Sequence, residues 1–470
     1  MKTSTTARLM RGATVLSLCG LLLACASYAP KPLPTQTPWN DRTDLRVDAR
    51  DIELPVLAAQ HIDLNAPWTM QAVATLAVLN DPRLKATRDQ AGVARAQAFA
   101  AGLLPDPKFS ASRDIPQGQS GATSTAYSLG LHFDLGSLIT RHAAVAAARA
   151  NLRQVNLHIL WQEWQTAAAA EMDYIALVGL RNRDALLGTE RDATLVRLQR
   201  DRAAAGAGTQ PRTVADADLV ELQALQQKLA TDARQHESHV AELDGLLGLR
   251  PGSPLRLADL PRFDQEAVKG AAAALSRLSS IRPDLMALKA GYASQEHKLR
   301  ESVLAQFPSV GVAVLRARDT SSVNTVGFGI TLSLPILNGS RGEIAVQSAT
   351  RQALYDAYAL RLREARAEVA HLLADLDLLQ RRRIALEATL PSLRDAAREA
   401  EAALQRGGIT LLQAQAQRHT LLEQRLALQA NAQQIAEQTV ALQLLTGHGV
   451  FAPTAKPQIR TPLNHNGRHD

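Results

Sequence analysis

Aromatic residues are scarce in this chain of 470 residues: Phe, Trp and Tyr together supply 4%. Compact cores draw much of their buried area from such rings, so a string of ordinary globular domains is a poor expectation, although length alone suggests about three. Cysteine is scarcer still. Cys19 and Cys25 both lie near the N-terminus, which excludes a disulfide framework and a cysteine-based zinc site in the body. No Gly-x-Ser-x-Gly elbow or dinucleotide-binding glycine fingerprint occurs. The histidine pairs His132/His142, His236/His239 and His465/His469 have neither a zincin spacing nor an evident third ligand, and they read as scattered surface residues. Only five methionines are present and no Met or His ladder lines a helix, so a copper relay has no support. The expectation is a protein that is not an enzyme, with no cofactor and no metal site.

What the chain has in abundance is Ala, Leu, Gln, Arg and Glu, the composition of long helices packed at coiled-coil spacing. The formal charge of +7 gives no sign of nucleic acid. Lys2, Arg8 and Arg11 contribute three of those charges, and the remaining basic residues mix with acids along helical stretches, as in Arg394-Asp395 and Arg398-Glu399. That is a solvated helix surface.

Residues 1–24 join a basic start to an apolar stretch from Val15 to Leu23, the layout of a secretory signal and too short for a membrane span. The run Leu22-Leu23-Ala24-Cys25 resembles a bacterial lipobox, which makes Cys25 the expected lipid anchor and Ala26 after it a signal for the outer membrane. Residues 25–67 carry Pro30, Pro32, Pro34, Pro38, Pro55 and Pro67 and read as an extended tether.

The body is one unit written twice. Asn80-Asp81-Pro82-Arg83-Leu84 recurs as Ile281-Arg282-Pro283-Asp284-Leu285, an offset of 283 minus 82, or 201. Each copy continues with an amphipathic helix that stops at Leu104-Pro105 or Phe307-Pro308, then two strand-like segments, a very long helix, a glycine-bearing break and a returning helix. The expected repeats are residues 68–260 and 261–449, followed by a polar tail, 450–470. In the strand segments Tyr127, Leu129, Leu131, Phe133 and Leu135 alternate with Ser128, Gly130, His132 and Asp134, and Val326, Phe328, Ile330, Leu332 and Leu334 alternate with Gly327, Gly329, Thr331 and Ser333. Such period-two patterns give each strand one apolar face, at the length of a tilted strand crossing an outer membrane. Val310, Val312 and Val314 supply a partner strand ahead of a polar loop, Arg316 to Asn324. The segment Phe109 to Arg113 is its weaker counterpart, followed by the loop Gln117 to Thr125. Four strands cannot enclose water alone, so several chains must share one barrel, and three copies would give twelve strands.

Leu138 to Ala205 and Ser340 to Gln405 are matched long helices, each about 100 Å at 1.5 Å per residue. Leu421, Leu428, Ile435 and Leu442 recur every seventh position on the second returning helix, a coiled-coil seam.

The duplicated Pro-x-Leu helix, Gly102-Leu103-Leu104-Pro105-Asp106-Pro107, and the strand Gly329-Ile330-Thr331-Leu332-Ser333-Leu334-Pro335-Ile336 together resemble the TolC-like outer membrane efflux family, over about Trp68 to Gly449. The lipobox is similar to that of the lipoprotein branch found with resistance-nodulation-division pumps, and the Gly102–Pro107 run is similar to heavy-metal efflux members. The resemblance implies a mainly α fold with membrane β: a coiled-coil α-barrel continuing into a trimeric 12-stranded outer-membrane β-barrel. It implies an exit duct for drugs, toxic compounds or metal ions in a Gram-negative bacterium. The implied partners are two further copies in a homotrimer, a periplasmic adaptor, an inner-membrane pump and outer membrane lipid. By the same resemblance the tips Gly206, Gly208, Thr209, Gln210 and Gly407, Gly408, Ile409, Thr410 would dock the adaptor, and Asp216, Asp218, Gln413 and Gln415 would stand at the channel entrance. Many relatives carry an acid where this chain has Gln415, so the entrance is expected to be less acidic, with closure relying on hydrogen bonds as much as ion pairs. The competing reading is a lipidated periplasmic adaptor or coiled-coil scaffold without a pore.

Overall fold

The computed structural model describes residues 28–35, 39–48, 54–117, 124–261 and 266–451. The signal segment, Cys25, the loop residues 118–123 and the C-terminal tail from 452 lie outside them. Residues 28–35 carry exposed side chains and no regular secondary structure, and they belong to a unit separate from the one that begins at Asn40. The description below concerns that second unit.

Its elements follow the expected duplication. The first repeat runs α1 (Met70–Asn80), α2 (Pro82–Gly102), β1 (Lys108–Asp114), β2 (Ala126–Asp134), α3 (Gly136–Gly206) and α4 (Arg212–Leu247). The second runs α5 (Glu266–Ala274), α6 (Pro283–Leu304), β3 (Ser309–Arg318), β4 (Asn324–Ser333), α7 (Arg341–Gln405) and α8 (Leu411–Thr446). Local chemistry sets these boundaries. The Thr69 hydroxyl accepts from the Ala72 amide to open α1, and the Asp81 carboxylate accepts from the Arg83 amide to open α2, each satisfying an orphan donor. Pro82 and Pro283 occupy the first turn of α2 and α6, where a missing N–H costs nothing. Gly248 and Gly447 end α4 and α8 with φ of 65° and 67°. At Gly447 a side chain is also excluded by space, since a Cβ would stand 2.5 Å from Ile281 Cγ2.

The four strands form one antiparallel sheet in the order β1-β2-β3-β4. β3 is longer than the sequence suggested: Arg316, Ala317 and Arg318, assigned to a loop because of their charge, pair with Val326, Thr325 and Asn324. The same order recurs among the helices attached to the strands. α2 packs on α3, α3 on α6, and α6 on α7. Beyond them α4 packs on α3, and α8 lies against both α7 and α3.

The main apolar cluster gathers Trp68, α1, the middle of α3, the end of α4, and Ala436 and Val440 of α8. α1 was not anticipated as an element; eight of its residues, from Met70 to Val78, are buried. Leu45, Leu54 and Leu57, from the proline-rich segment, are buried in the same cluster. The Tyr174 hydroxyl donates to the Ala258 carbonyl at 2.8 Å and the Trp68 carbonyl at 3.2 Å, tying α3 to the chain segments on either side of the first repeat. A second cluster joins Leu285, Val369, Leu376, Ile435 and Leu442, so part of the heptad seam is core as expected. Beside it Arg282 is fully buried, with Nη2 2.7 Å from Asp284 and Nη1 3.2 Å from Glu368, and its guanidinium lies 5.2 Å from the Trp161 ring centre. Among the described residues no helix is long and apolar enough to cross a membrane.

Candidate functional site

At the turn between α3 and α4, Gly208 takes φ of 72°, while the Thr209 amide and hydroxyl both donate to the Ala204 carbonyl, at 3.0 and 2.9 Å. The turn between α7 and α8 is built the same way: Gly407 has φ of 73°, and the Gly408 amide donates to the Ala403 carbonyl at 2.8 Å. In this form of helix end a positive φ releases the chain and the next amide reaches back to a carbonyl of the last turn. Gly208 and Gly407 are therefore required by conformation. Gly206 and Gly408 are not: neither has a positive φ, and a Cβ at Gly206 would touch nothing within 4 Å. The tip glycines are exposed, while Gln210 and Ile409 are half-buried.

The entrance candidates separate into three kinds. Gln413 is a capping residue, its Oε1 accepting from the Thr410 amide at 2.9 Å while its own amide donates to the Thr410 hydroxyl at 3.3 Å. Asp216 is exposed. Asp218 and Gln415 meet: the Gln415 amide donates to Asp218 Oδ1 at 2.7 Å, joining the second hairpin to the first.

Asp218 is the centre of a buried polar network absent from the sequence reading. Arg197, 11% exposed in its side chain, reaches Asp218 at 3.7 Å, Glu190 and Glu221 at 3.4 Å each, and the Thr194 hydroxyl at 2.7 Å. Asp201, also buried, accepts from Arg200 at 3.0 Å, and Arg418 of α8 pairs with Glu401 of α7 at 2.9 Å. Burial pushes the Asp218 carboxyl above its ordinary range; the charge of Arg197 opposes that, and a hydrogen bond with Asp201 adds to it. Burial raises Glu221 as well, against Arg197 and with Glu190. The Thr194–Arg197 spacing of i, i+3 is the local signal, but the partners on α4 and α8 come from packing.

At the other end of the repeats the sheet presents one continuous apolar face. Phe109, Leu131, Val314 and Phe328 form a cross-strand row, and Phe133, Val312 and Ile330 form the next. All are solvent-exposed, Phe328 at 87%. The opposite face is small and polar apart from Leu315: Ser110 and His132 are hydrogen-bonded at 3.0 Å, as are Ser112 and Ser128 at 3.1 Å. Gly130 has no room for a Cβ, which would lie 2.6 Å from Ser110 Oγ. The apolar face ends toward the loops in two rows that carry arginine, first Ala111, Leu129, Arg316 and Val326, then Arg113, Tyr127 and Arg318, residue types suited to a membrane interface. β1 and β4 each have one edge with no further strand among the described residues.

A third cluster lies between α3 and α4. Asp173, His239 and Glu242 bring a potential metal-ligating atom each to within 4.8 Å of one another. In the sequence His239 is one of the scattered surface histidines, and only the packing of α4 on α3 brings it to Asp173.

Residues 274–448 match the family described as outer membrane efflux protein. No curated protein matches the chain. Among solved structures, the outer-membrane channel OprN is similar at 17% identity and TM-score 0.65, over 91% of this chain and 100% of that one. The Campylobacter jejuni CmeC outer membrane channel is similar at 15% identity and TM-score 0.68, over 92% and 97%. The open state of the Neisseria gonorrhoeae MtrE outer membrane channel is similar at 18% identity and TM-score 0.61, over 81% and 89%. The resemblance to TolC-like outer membrane efflux proteins is borne out, by sequence in the second half and by fold throughout. The fold is the one seen in these solved channel structures.

Proposed function

We propose that the chain is one protomer of a trimeric outer-membrane efflux duct, the exit component of a tripartite system. The observation that carries this reading is the sheet: an apolar face runs from edge to edge, and both outer strands are open. An open edge is untenable in lipid, where every backbone group needs a partner. Closure by two further copies would pair β4 of one protomer with β1 of the next in a 12-stranded barrel.

The helices support the same closure. α6 packs against both α3 and α7, whereas α2 packs chiefly on α3, so the position equivalent to the α3–α6 contact is open on α2. α7 leaves Val346, Tyr355 and Leu360 more than half exposed, and α2 leaves Val93 and Phe99 so. A neighbouring α7 against α2 covers both faces. The periplasmic ends are then the two exposed glycine-bearing tips, Gly206 to Gln210 and Gly407 to Thr410, where an adaptor would dock. Asp216, Asp218, Gln413 and Gln415 stand beside that entrance, and Gln415 helps hold the two hairpins together there. An acylated Cys25 would add an anchor in the outer membrane of a Gram-negative cell, and an inner-membrane pump would select the cargo among drugs, toxic compounds or metal ions.

The duplication supplies the test. Ser294 of α6 donates to the Ala147 carbonyl of α3 at 2.9 Å. Shifting Ser294 back by 201 gives Val93. Arg149-Ala150-Asn151-Leu152 aligns with Arg351-Gln352-Ala353-Leu354 at 351 minus 149, or 202, which takes Ala147 to Ala349. The double variant Val93→Cys/Ala349→Cys, treated with a short bismaleimide in cells, should give a ladder ending at the trimer in the outer-membrane fraction. A monomer in the periplasm, with no ladder and no pore conductance, would instead identify a scaffold.

A further inference from the structure

The geometry points to a divalent metal site of the zinc class formed by Asp173 of α3 and His239 and Glu242 of α4, stapling the two helices of the first hairpin. It is independent of the channel reading.

His239 and Glu242 are three residues apart on α4, and therefore share a face. Asp173 comes from α3, where it is 7% exposed. His239 Nδ1 lies 3.0 Å from Asp173 Oδ1, and the three ligating atoms fall within 4.8 Å of each other. Zinc bonds to nitrogen and oxygen of about 2.0–2.1 Å put tetrahedral ligand atoms about 3.3 Å apart, so small side-chain rotations close the set around an ion. A fourth position would remain for water. One imidazole with two carboxylates is a borderline-hard set that suits zinc, manganese or cobalt better than a monovalent copper, which favours sulfur. The half-exposed His239 and exposed Glu242 provide a route in from solvent.

Without an ion the arrangement is electrostatically awkward. Burial pushes Asp173 up to about 6; the hydrogen bond from His239 opposes this, and the charge of Glu242 adds to it. A cation replaces that repulsion with attraction to both carboxylates. The site is particular to the first hairpin. α4 and α8 correspond at an offset of 411 minus 212, or 199, which places Gln438 and Ala441 where His239 and Glu242 stand.

The test uses the full-length protein in detergent, stripped of metal, with His465→Ala/His469→Ala in every sample to silence the tail. Zinc titrated against a chromophoric chelator should fill one site per protomer, and His239→Ala or Glu242→Gln should weaken it at least tenfold with unchanged helicity. Zinc-edge X-ray absorption of the unsubstituted site should show one imidazole among oxygen ligands, which keeps the test decisive if a variant fails to fold. Zinc binding unaffected by both substitutions, absence of a stoichiometric site, or an absorption spectrum without imidazole would each overturn the assignment.

Discussion

In the first hairpin α3 buries 23 residues, including Trp164, Tyr174 and Ile175, whereas α7 of the second buries six over a similar length. α3 lies between α2, α4, α6 and α8, while α7 has only α6 and α8 as substantial long-helix neighbours. The polar residues they enclose differ in kind. Asp173, Asp201, Asp218 and Asp232 are buried along α3 and α4, but Asn431, Thr439 and Thr446 are the buried polar residues of α8, with none on α7. One duplicated unit has thus produced an ionisable seam in an interior position and a neutral seam at an edge. Charge in the second repeat is concentrated instead at the start of α6. Asp81-Pro82-Arg83 in the first copy becomes Arg282-Pro283-Asp284 in the second, and the reversal puts a buried guanidinium where the first repeat has a capping carboxylate.

The sharpest way to separate the repeats is to remove that guanidinium. Arg282→Met should destabilise the protein by about 2 kcal/mol, the scale of losing hydrogen bonds between charged groups, because Arg361 still pairs with Asp284 and Glu368. Hydrogen exchange should localise the loss to α6 and the adjoining part of α7; equal loss in α4 would erase the distinction.

Acid should then move the two repeats in opposite directions. Glu171 is pushed up to about 8 by burial and Asp173 to about 6, also mainly by burial. Raised pKa values mean that stability is fully present below the unfolded values and is lost as pH rises through the folded ones. The first hairpin should therefore be most protected near pH 4 and weaken toward pH 8. Glu171→Gln should remove roughly 1 kcal/mol per pH unit of that slope, visible in Tm against pH. Asp284 and Glu368 behave oppositely. Burial opposes their ionisation, but Arg282 and Arg361 outweigh it and hold both carboxyls below the usual range. Their contribution is present above the unfolded carboxylate range and disappears as pH falls through the depressed values.

Smaller effects follow at the tips and between the hairpins. Thr410→Ala breaks the capping box and should cost about 1 kcal/mol, confined to amide exchange in the first turn of α8. Lys228→Ala removes a 2.5 Å contact with Glu423 that links α4 to α8. As a partly exposed pair it should count for less than about 1 kcal/mol, shrinking further in salt.

Much of this was legible in the sequence because it depends on period and length. Alternation at Val326–Leu334 marks the membrane-length strand. The heptad leucines locate part of the second seam. What stayed hidden depends on side chains far apart in the chain. Asp173 and His239 are 66 residues apart, and only the packing of α4 on α3 joins them. In the repeated motif nothing marks Arg282 as buried, because burial of its guanidinium follows from Asp284, Glu368 and Trp161 closing around it. Arg316 and Arg318 hid the end of β3, since charge at a sheet rim looks like loop until the register is known.

The two open strand edges also bear on kinetics. On the proposed function, backbone groups that no strand among the described residues satisfies cannot enter lipid one protomer at a time, so insertion becomes a reaction of order greater than one in protomer. Its half-time should shorten as expression rises, and a slow assembler would accumulate as a water-exposed precursor vulnerable to proteases.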